Sequence, residues 1–248
     1  MKNRHVVQTL DYAILALALY VLWLAIYYFS GPDAISAPGE TFQQALAFLR
    51  SADFWHNVAG TGIAFGYACL IALVGGVVIG VAIGSSRLAT DVGEPMLGTL
   101  YSIPKITLYP VILLVFGLGM PAKVAFGTLH GIFPVILFTL GAIKNTRGVY
   151  LRTARVLRLS PIQRAWTVLV PAALPEIVTG LRIGFSTTLL GTLIGELFAS
   201  DRGIGFILIR AMEANRVLDI MALTLLLFAF AATANRLLIA VEHRMHRR

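Results

Sequence analysis

Few side chains in this sequence could do chemistry, and they lie apart from one another among long apolar runs. Lys105 directly follows Pro104. A cation at such a break could attract an anion, and backbone groups freed by the proline could line a pathway. The competing arrangement starts the apolar stretch later and has Lys105 reach an interface on its flexible stem. Thr187 and Thr188 sit in the middle of another apolar run, where their hydroxyls could bond a solute or satisfy their own helix backbone. Glu196 lies near the end of that run and reads as a structural group paired with Arg202 or Arg210. His130 precedes Gly131 with no second ligand at metal spacing, so it reads as a packing residue and no metal site is expected. Cys69, the single cysteine, reads as a small apolar filler. These groups suit the binding of a polar solute. They do not form a catalytic set, and no G-x-x-x-x-G-K-[ST] phosphate loop occurs. The expectation is a chain with no catalytic residues and no cofactor of its own.

A second group is polar and clustered. Arg152, Arg155, Arg158, Arg164 and Trp166 fall within roughly thirty residues that separate two apolar runs. Over 150–159, Leu151, Ala154 and Leu157-Arg158 recur at helical spacing, with Arg152 and Arg155 on other faces. Ser160-Pro161-Ile162-Gln163 then has the form of a capping box: serine at the N-cap, proline in the first helical position, glutamine three residues after the cap. A second short helix should start at Ser160 and run through Trp166 toward Val170, with Pro171 and Pro175 ending it. A capped helix pair is more order than a loop needs to fix topology. Arginine and tryptophan are also favoured at the energetic centres of interfaces. The insert, 144–175, is therefore read as a docking surface for a cytoplasmic partner.

The elements that must position these residues are apolar and long. Of 248 residues, 58% are hydrophobic and only 13% charged, against about a quarter charged in a soluble domain. Six runs are long enough to cross a bilayer, which takes about 20 residues as helix. They are 10–29, 57–84, 95–118 (interrupted by Pro104 and Pro110), 122–143, 176–198 and 218–240. The fold class expected is all-α: a polytopic membrane protein forming a single domain over 1–248. Within it, 1–55 holds the first run and the segment after it, 56–240 the core, and 241–248 a tail. The first run is too long for a cleaved leader and lacks its small-residue site. Between the first two runs, Phe42, Leu46 and Leu49 mark a short surface-lying helix.

Flanks and loops on the side of both termini hold thirteen of the twenty lysines and arginines, and the opposite side holds five. The bias of positive charge toward the inside puts both termini and the insert in the cytoplasm. The net charge of +8 is thus a topology signal, and no face interleaves basic and aromatic residues as a nucleic-acid site would. Gly62 and Gly66, then Gly76, Gly80 and Gly84, and Gly191 with Gly195, recur every fourth residue, a spacing that lets helix backbones approach closely.

Three stretches carry a resemblance. "ARVLRLSPIQRAWTVLVPAALPEIVTGLRIG" (154–184), "YSIPKITLYPVILLVFGLG" (101–119) and "RGIGFILIRA" (202–211) resemble permease subunits of ATP-binding-cassette importers, in the branch that imports nitrate, taurine and aliphatic sulfonates. The likeness spans about 57–227, and the first stretch resembles the EAA loop of that family. Two positions depart from its pattern: Arg152 stands where the family has glutamate, followed by Thr153 and Ala154, and Arg158 stands where it has glycine. Losing glycine at a turn that needs positive φ costs about 1 kcal/mol.

The resemblance implies a MetI-like permease bundle of six transmembrane helices in a bacterial inner membrane. Its coupling helix, built here from Arg152, Thr153, Ala154, Arg155, Arg158, Leu159, Ser160, Pro161, Arg164 and Trp166, would sit in a groove of a separate ATPase dimer. That partner would bind ATP and Mg. A second copy of the chain would complete the pathway, an external binding protein would deliver a small anion such as a sulfonate, taurine or nitrate, and Lys105, Thr187 and Thr188 would be the candidate pathway residues. The rival reading is a secondary carrier or channel without an ATPase, but such carriers often show two related halves, absent here, and have no use for a docking insert.

Overall fold

The structure is a computed structural model that describes residues 2–146, 148–198 and 200–246; the side chains of 2–10, 12, 13, 151, 155, 241 and 243–246 are outside the described set. All regular elements among the described residues are helical. In order they are α1 (Lys2–Ser30), α2 (Pro38–Arg50), α3 (Ala52–Gly84), α4 (Arg87–Ser102), a 3-10 turn (Lys105–Leu108), α5 (Tyr109–Phe116), α6 (Met120–Lys144), α7 (Gly148–Val156), α8 (Pro161–Arg164), a π turn (Ala165–Leu169), α9 (Val170–Phe198), α10 (Ile204–Glu213) and α11 (Val217–His246). They group into two compact units: Met1–Trp55 with Ile207–Phe230, and His56–Phe206 with Ala231–Arg248. In the first unit, α2 is the short helix expected between the first two runs. The Trp23 indole donates to Ser36 O at 3.2 Å, and Gln44 donates to Asp219 Oδ1 at 2.6 Å.

Among the described residues, four helical stretches are long and apolar enough to cross a membrane: Ala52–Gly84, Met120–Lys144, Pro161–Phe198 and Val217–Ala240. The first expected run, 10–29, lies within the 29-residue α1, whose described apolar part is Ile14–Ser30. The third run is broken: α4 and the Lys105–Phe116 stretch meet at 84°. Pro104 explains the break. It lacks an N–H and pushes the residue before it out of the helical region, and Ile103 is extended at φ −64°, ψ 130°.

The insert departs from the expectation. Pro171 and Pro175 do not end the insert's second helix. From Pro161 to Phe198 the chain is one helical run, α8 through the π turn into α9. The π turn explains how: Val170 N–H bonds Ala165 O, five residues back. Pro171 then falls in the first turn of the next α segment, where a missing N–H is tolerated.

The second unit is held by small residues. A Cβ on Gly80 would lie 2.6 Å from Thr139 Cβ, and one on Gly76 would lie 2.6 Å from Val135 Cβ, so α3 and α6 touch backbone to side chain along the expected stripe. Gly180 and Gly191 do the same for α9, against Phe138 and His130 of α6. Gly62 and Gly66 differ: no atom lies within 4 Å of a Cβ added to either.

At the end of α7 the chain turns through Arg158, at φ +51° one of two non-glycine residues in the left-handed region among those described. Leu159 N–H bonds Ala154 O at 3.1 Å across this turn, the bond of a Schellman cap that usually employs glycine. The turn expected from the departure at Arg158 is therefore present, and the arginine bears its cost.

Two substitutions test this packing by thermal unfolding in detergent. Gly80→Ala should destabilise by about 1–3 kcal/mol through overpacking, whereas Gly62→Ala should be neutral or stabilising by about 1 kcal/mol; equal effects would contradict the seam. Arg158→Gly should stabilise by about 1 kcal/mol, and a loss of stability would contradict the strained turn.

Candidate functional site

The insert is built from the capping box outward. Ser160 N–H donates to Gln163 Oε1 at 3.0 Å, and Gln163 N–H donates to Ser160 Oγ at 3.3 Å, the reciprocal pair read from the sequence. One side of the following turn is buried: Ala165 and Leu169 pack with Val81 of α3, Ala142 and Ile143 of α6, and Ala173 and Ile177 of α9. The other side presents Ile162 and Trp166, 74% and 58% exposed, with Val156 and Leu157 exposed beside them. Arg152, Thr153, Arg158, Ser160 and Pro161 are exposed as well, Leu159 is half-buried and Ala154 buried. Thr153 Oγ1 donates to its own helix, at Val149 O. Arg164 turns inward: Nη2 donates to Ser85 O at 3.3 Å, tying the insert to the α3–α4 turn. The side chain of Arg155 lies outside the described residues. Val156, Leu157 and Ile162 were not among the docking residues expected from sequence, although apolar residues flanking a capping box are a visible signal.

A second candidate site lies at the break in the third run. Phe126, His130 and Phe133 occupy one face of α6 at helical spacing. The broken segment is anchored along that face at two points: Tyr109 against Phe126 with ring centres 4.9 Å apart, and Tyr101 near Phe133 at 6.4 Å. Between the anchors is the 3-10 turn that opens with Lys105. Its ammonium donates to Tyr101 O at 2.8 Å and lies 4.4 Å from the Tyr101 ring centre and 5.5 Å from that of Phe133. Phe133 is at the middle of the 25-residue α6, so Lys105 sits opposite mid-helix, about 18 Å from either end. No carboxylate partner of Lys105 occurs among the described residues. His130 packs against Phe126 with ring centres 4.6 Å apart and planes tilted by 58°, and its Nδ1 is 3.0 Å from Phe126 O.

The two threonines diverge. Thr187 is half-buried, one turn before Gly191, the residue against the His130 ring, and its hydroxyl bonds Ile183 O and Gly184 O at 3.0 and 3.1 Å. Thr188 is fully buried in the α6–α9 seam, where its Oγ1 faces Gly131. The hydrogen bonds of Thr187 go to its own helix and that of Lys105 to Tyr101, so neither bonds the other.

Glu196 has a partner that sequence reading missed. It is fully buried, and Lys123 Nζ of α6 stands 3.9 Å from Oε1, an ion-pair distance. Oε2 accepts from Thr61 Oγ1 at 2.8 Å and from Gly205 N–H at 3.0 Å, at the start of α10. Arg202 enters through its backbone: Lys123 Nζ donates to its carbonyl at 2.6 Å. The knot fixes the starts of α6 and α10 to the end of α9, a structural role as expected. Nearer the insert, Arg182 pairs with Glu242 of α11 at 2.8 Å. A hollow of about 770 Å³ between α3, α5 and α6 is lined by Tyr67, Ile71, Val111, Phe116, Leu129 and Ile132 among others. Its apolar walls give an anion little to bond.

Comparison with known proteins agrees with this architecture. Over 211 residues, 83% of this chain and 77% of the relative, it is 29% identical to the taurine transport system permease protein of Escherichia coli (strain K12). It is 30% identical to the bicarbonate transport system permease protein of Synechococcus elongatus, over 92% of this chain and 90% of that one. To a nitrate import permease protein of Leptolyngbya laminosa it is 31% identical, over 77% and 72%. Among solved structures, a chain of the MetNI methionine ABC transporter in an inward-facing conformation superposes with a TM-score of 0.57 at 18% identity, covering 77% of this chain and 93% of that one, which shows the shared MetI-like fold. The sequence model of one family, described as the binding-protein-dependent transport system inner membrane component, matches residues 72–248. The chain belongs to that family, as a multi-pass inner-membrane permease.

Proposed function

We propose that this permease forms, as two copies of the chain, the pathway of an ATP-binding-cassette importer for a small anion, with its insert gripped by a separate ATPase. The observation that carries the coupling is the continuity of Pro161–Phe198. A partner that moves the exposed face of Ile162 and Trp166 moves, through the same helix, the stretch whose Gly191 lies against the His130 ring. ATP and Mg belong to the ATPase, since this chain has no phosphate loop. Both termini and the insert face the cytoplasm, where the positive charge is concentrated.

An anion fits Lys105. A cation opposite the middle of a membrane-long helix is costly and is kept there for a partner or a passing solute. The ammonium has three donors, one of which is used by Tyr101 O. Relatives named for taurine, bicarbonate and nitrate transport support the same class of solute. An external binding protein delivers it, as the family's description implies.

Replacing Ile162 and Trp166 together by alanine should cut recovery of the ATPase in pull-downs by at least about tenfold, since truncated anchors at interface centres cost about 2 kcal/mol or more. Membrane insertion should persist, because neither side chain is part of the buried cluster. ATPase recovery at wild-type levels would overturn the docking role.

A further inference from the structure

The sequence gives His130 no role beyond packing, yet the fold sets it opposite the 3-10 turn of the broken segment, between that segment's two aromatic anchors. We infer that His130 and Lys105 together read a small oxyanion that carries its own O–H or N–H donor. This rests on the importer reading above and names the class of solute for it.

The argument starts from the histidine's bond. Phe126 O is a carbonyl and only accepts, so the nitrogen 3.0 Å from it, Nδ1, carries the proton. In the neutral ring, Nε2 is then an acceptor, with its tautomer fixed by the helix itself. The tilted Phe126 ring, 4.6 Å away, and Gly191 bracket the imidazole, so its orientation is set before a solute arrives. The ring is half-buried, and in the proposed site its Nε2 meets the solute.

Lys105 supplies the complementary half. His130 and Phe133 are three residues apart on α6, a spacing that puts Cβ atoms about 5–6 Å apart. Lys105 Nζ is 5.5 Å from the Phe133 ring centre, on the side of the broken segment. A small anion can therefore place a negative oxygen on the ammonium and a donor on Nε2. An anion with acceptors only, such as nitrate or an alkanesulfonate, meets the ammonium but faces the lone pair of Nε2 with a lone pair of its own. A site built to receive a hydrogen bond discriminates against analogues that lack the donor.

The test is equilibrium binding to the intact permease–ATPase complex in nanodiscs without the external receptor, using probes that differ in the donor: isethionate against ethanesulfonate, and hydrogencarbonate against nitrate. Wild type should bind the donor-bearing member of each pair about tenfold tighter, the worth of one hydrogen bond. His130→Phe, which keeps a ring against Phe126 and Gly191, should erase that preference, and His130→Gln, which keeps an acceptor, should retain part of it. Lys105→Met should weaken both members of each pair. Equal binding within the pairs by wild type, a preference that survives in His130→Phe, or no binding of any probe to an intact complex would each overturn the inference. The ATPase is scored in the same preparations: a complete complex without the preference sinks this inference alone, whereas failure to form the complex sinks the importer reading with it.

Discussion

Burial of Ala165 and Leu169 against Val81, Ala142 and Ile143 is the contact on which the proposed mechanism depends. A π turn inside a helix is a natural place to bend. Here it is clamped, because Leu169 is 2% exposed and a buried leucine contributes about 2–3 kcal/mol. The Arg164 bond to Ser85 and the capping box hold the start of the same run. With those restraints the exposed face of the insert and the membrane helix behind it form one body. A push on Trp166 is then not absorbed by local bending.

Charge inside the apolar core is handled in two contrasting ways. At one end of the second unit, Lys123 and Glu196 are both fully buried and are matched to each other, to Thr61 and to backbone groups on either side of Gly203. Gly203 is at φ +127°, and a Cβ there would collide with the Glu196 carboxylate, so the loop wraps the charge as closely as a chain can. Burying such a pair is expensive, and Glu196 Oε1 has the Lys123 ammonium at 3.9 Å but no hydrogen bond; the return is a fixed connection between α6, α9 and α10. Lys105 is treated otherwise. It is half-buried, leans on two aromatic rings and, among the described residues, has a single carbonyl partner. A closed knot suits a joint, while a cation with donors to spare suits a changing occupant.

Much of this was legible in the sequence, for local reasons. Ser160 and Gln163 announce a cap because both halves of the reciprocal bond lie within four residues. Gly76, Gly80 and Gly84 announce a seam by their spacing, and Arg158 marks a positive-φ turn by standing where the permease family has glycine. What escaped depends on distant partners. Pro171 and Pro175 read as stops, since nothing local reveals a π turn that shifts the bonding by one residue. Glu196 was paired with arginines nearby in sequence, whereas the fold brings Lys123 from another helix. Arg164 was grouped with the exposed arginines, and only the position of the α3–α4 turn draws it inward. His130 looked like filler until the broken segment crossed its face.

The central claim is that insert and membrane helix move as one. Spin labels at Thr167 and Leu190, both exposed and on the same helical run, should lie about 35 Å apart by helical rise. Their separation, measured by electron double resonance in the assembled transporter, should stay the same within about 2 Å between nucleotide-free and ATP-trapped states, since no turn of the helix between them unwinds. The Thr167–Thr167 distance across the two copies should change between those states. An intrahelical distance that shifts on ATP binding while the cross-copy distance stays fixed would mean that the insert flexes on its own, and the lever would be refuted.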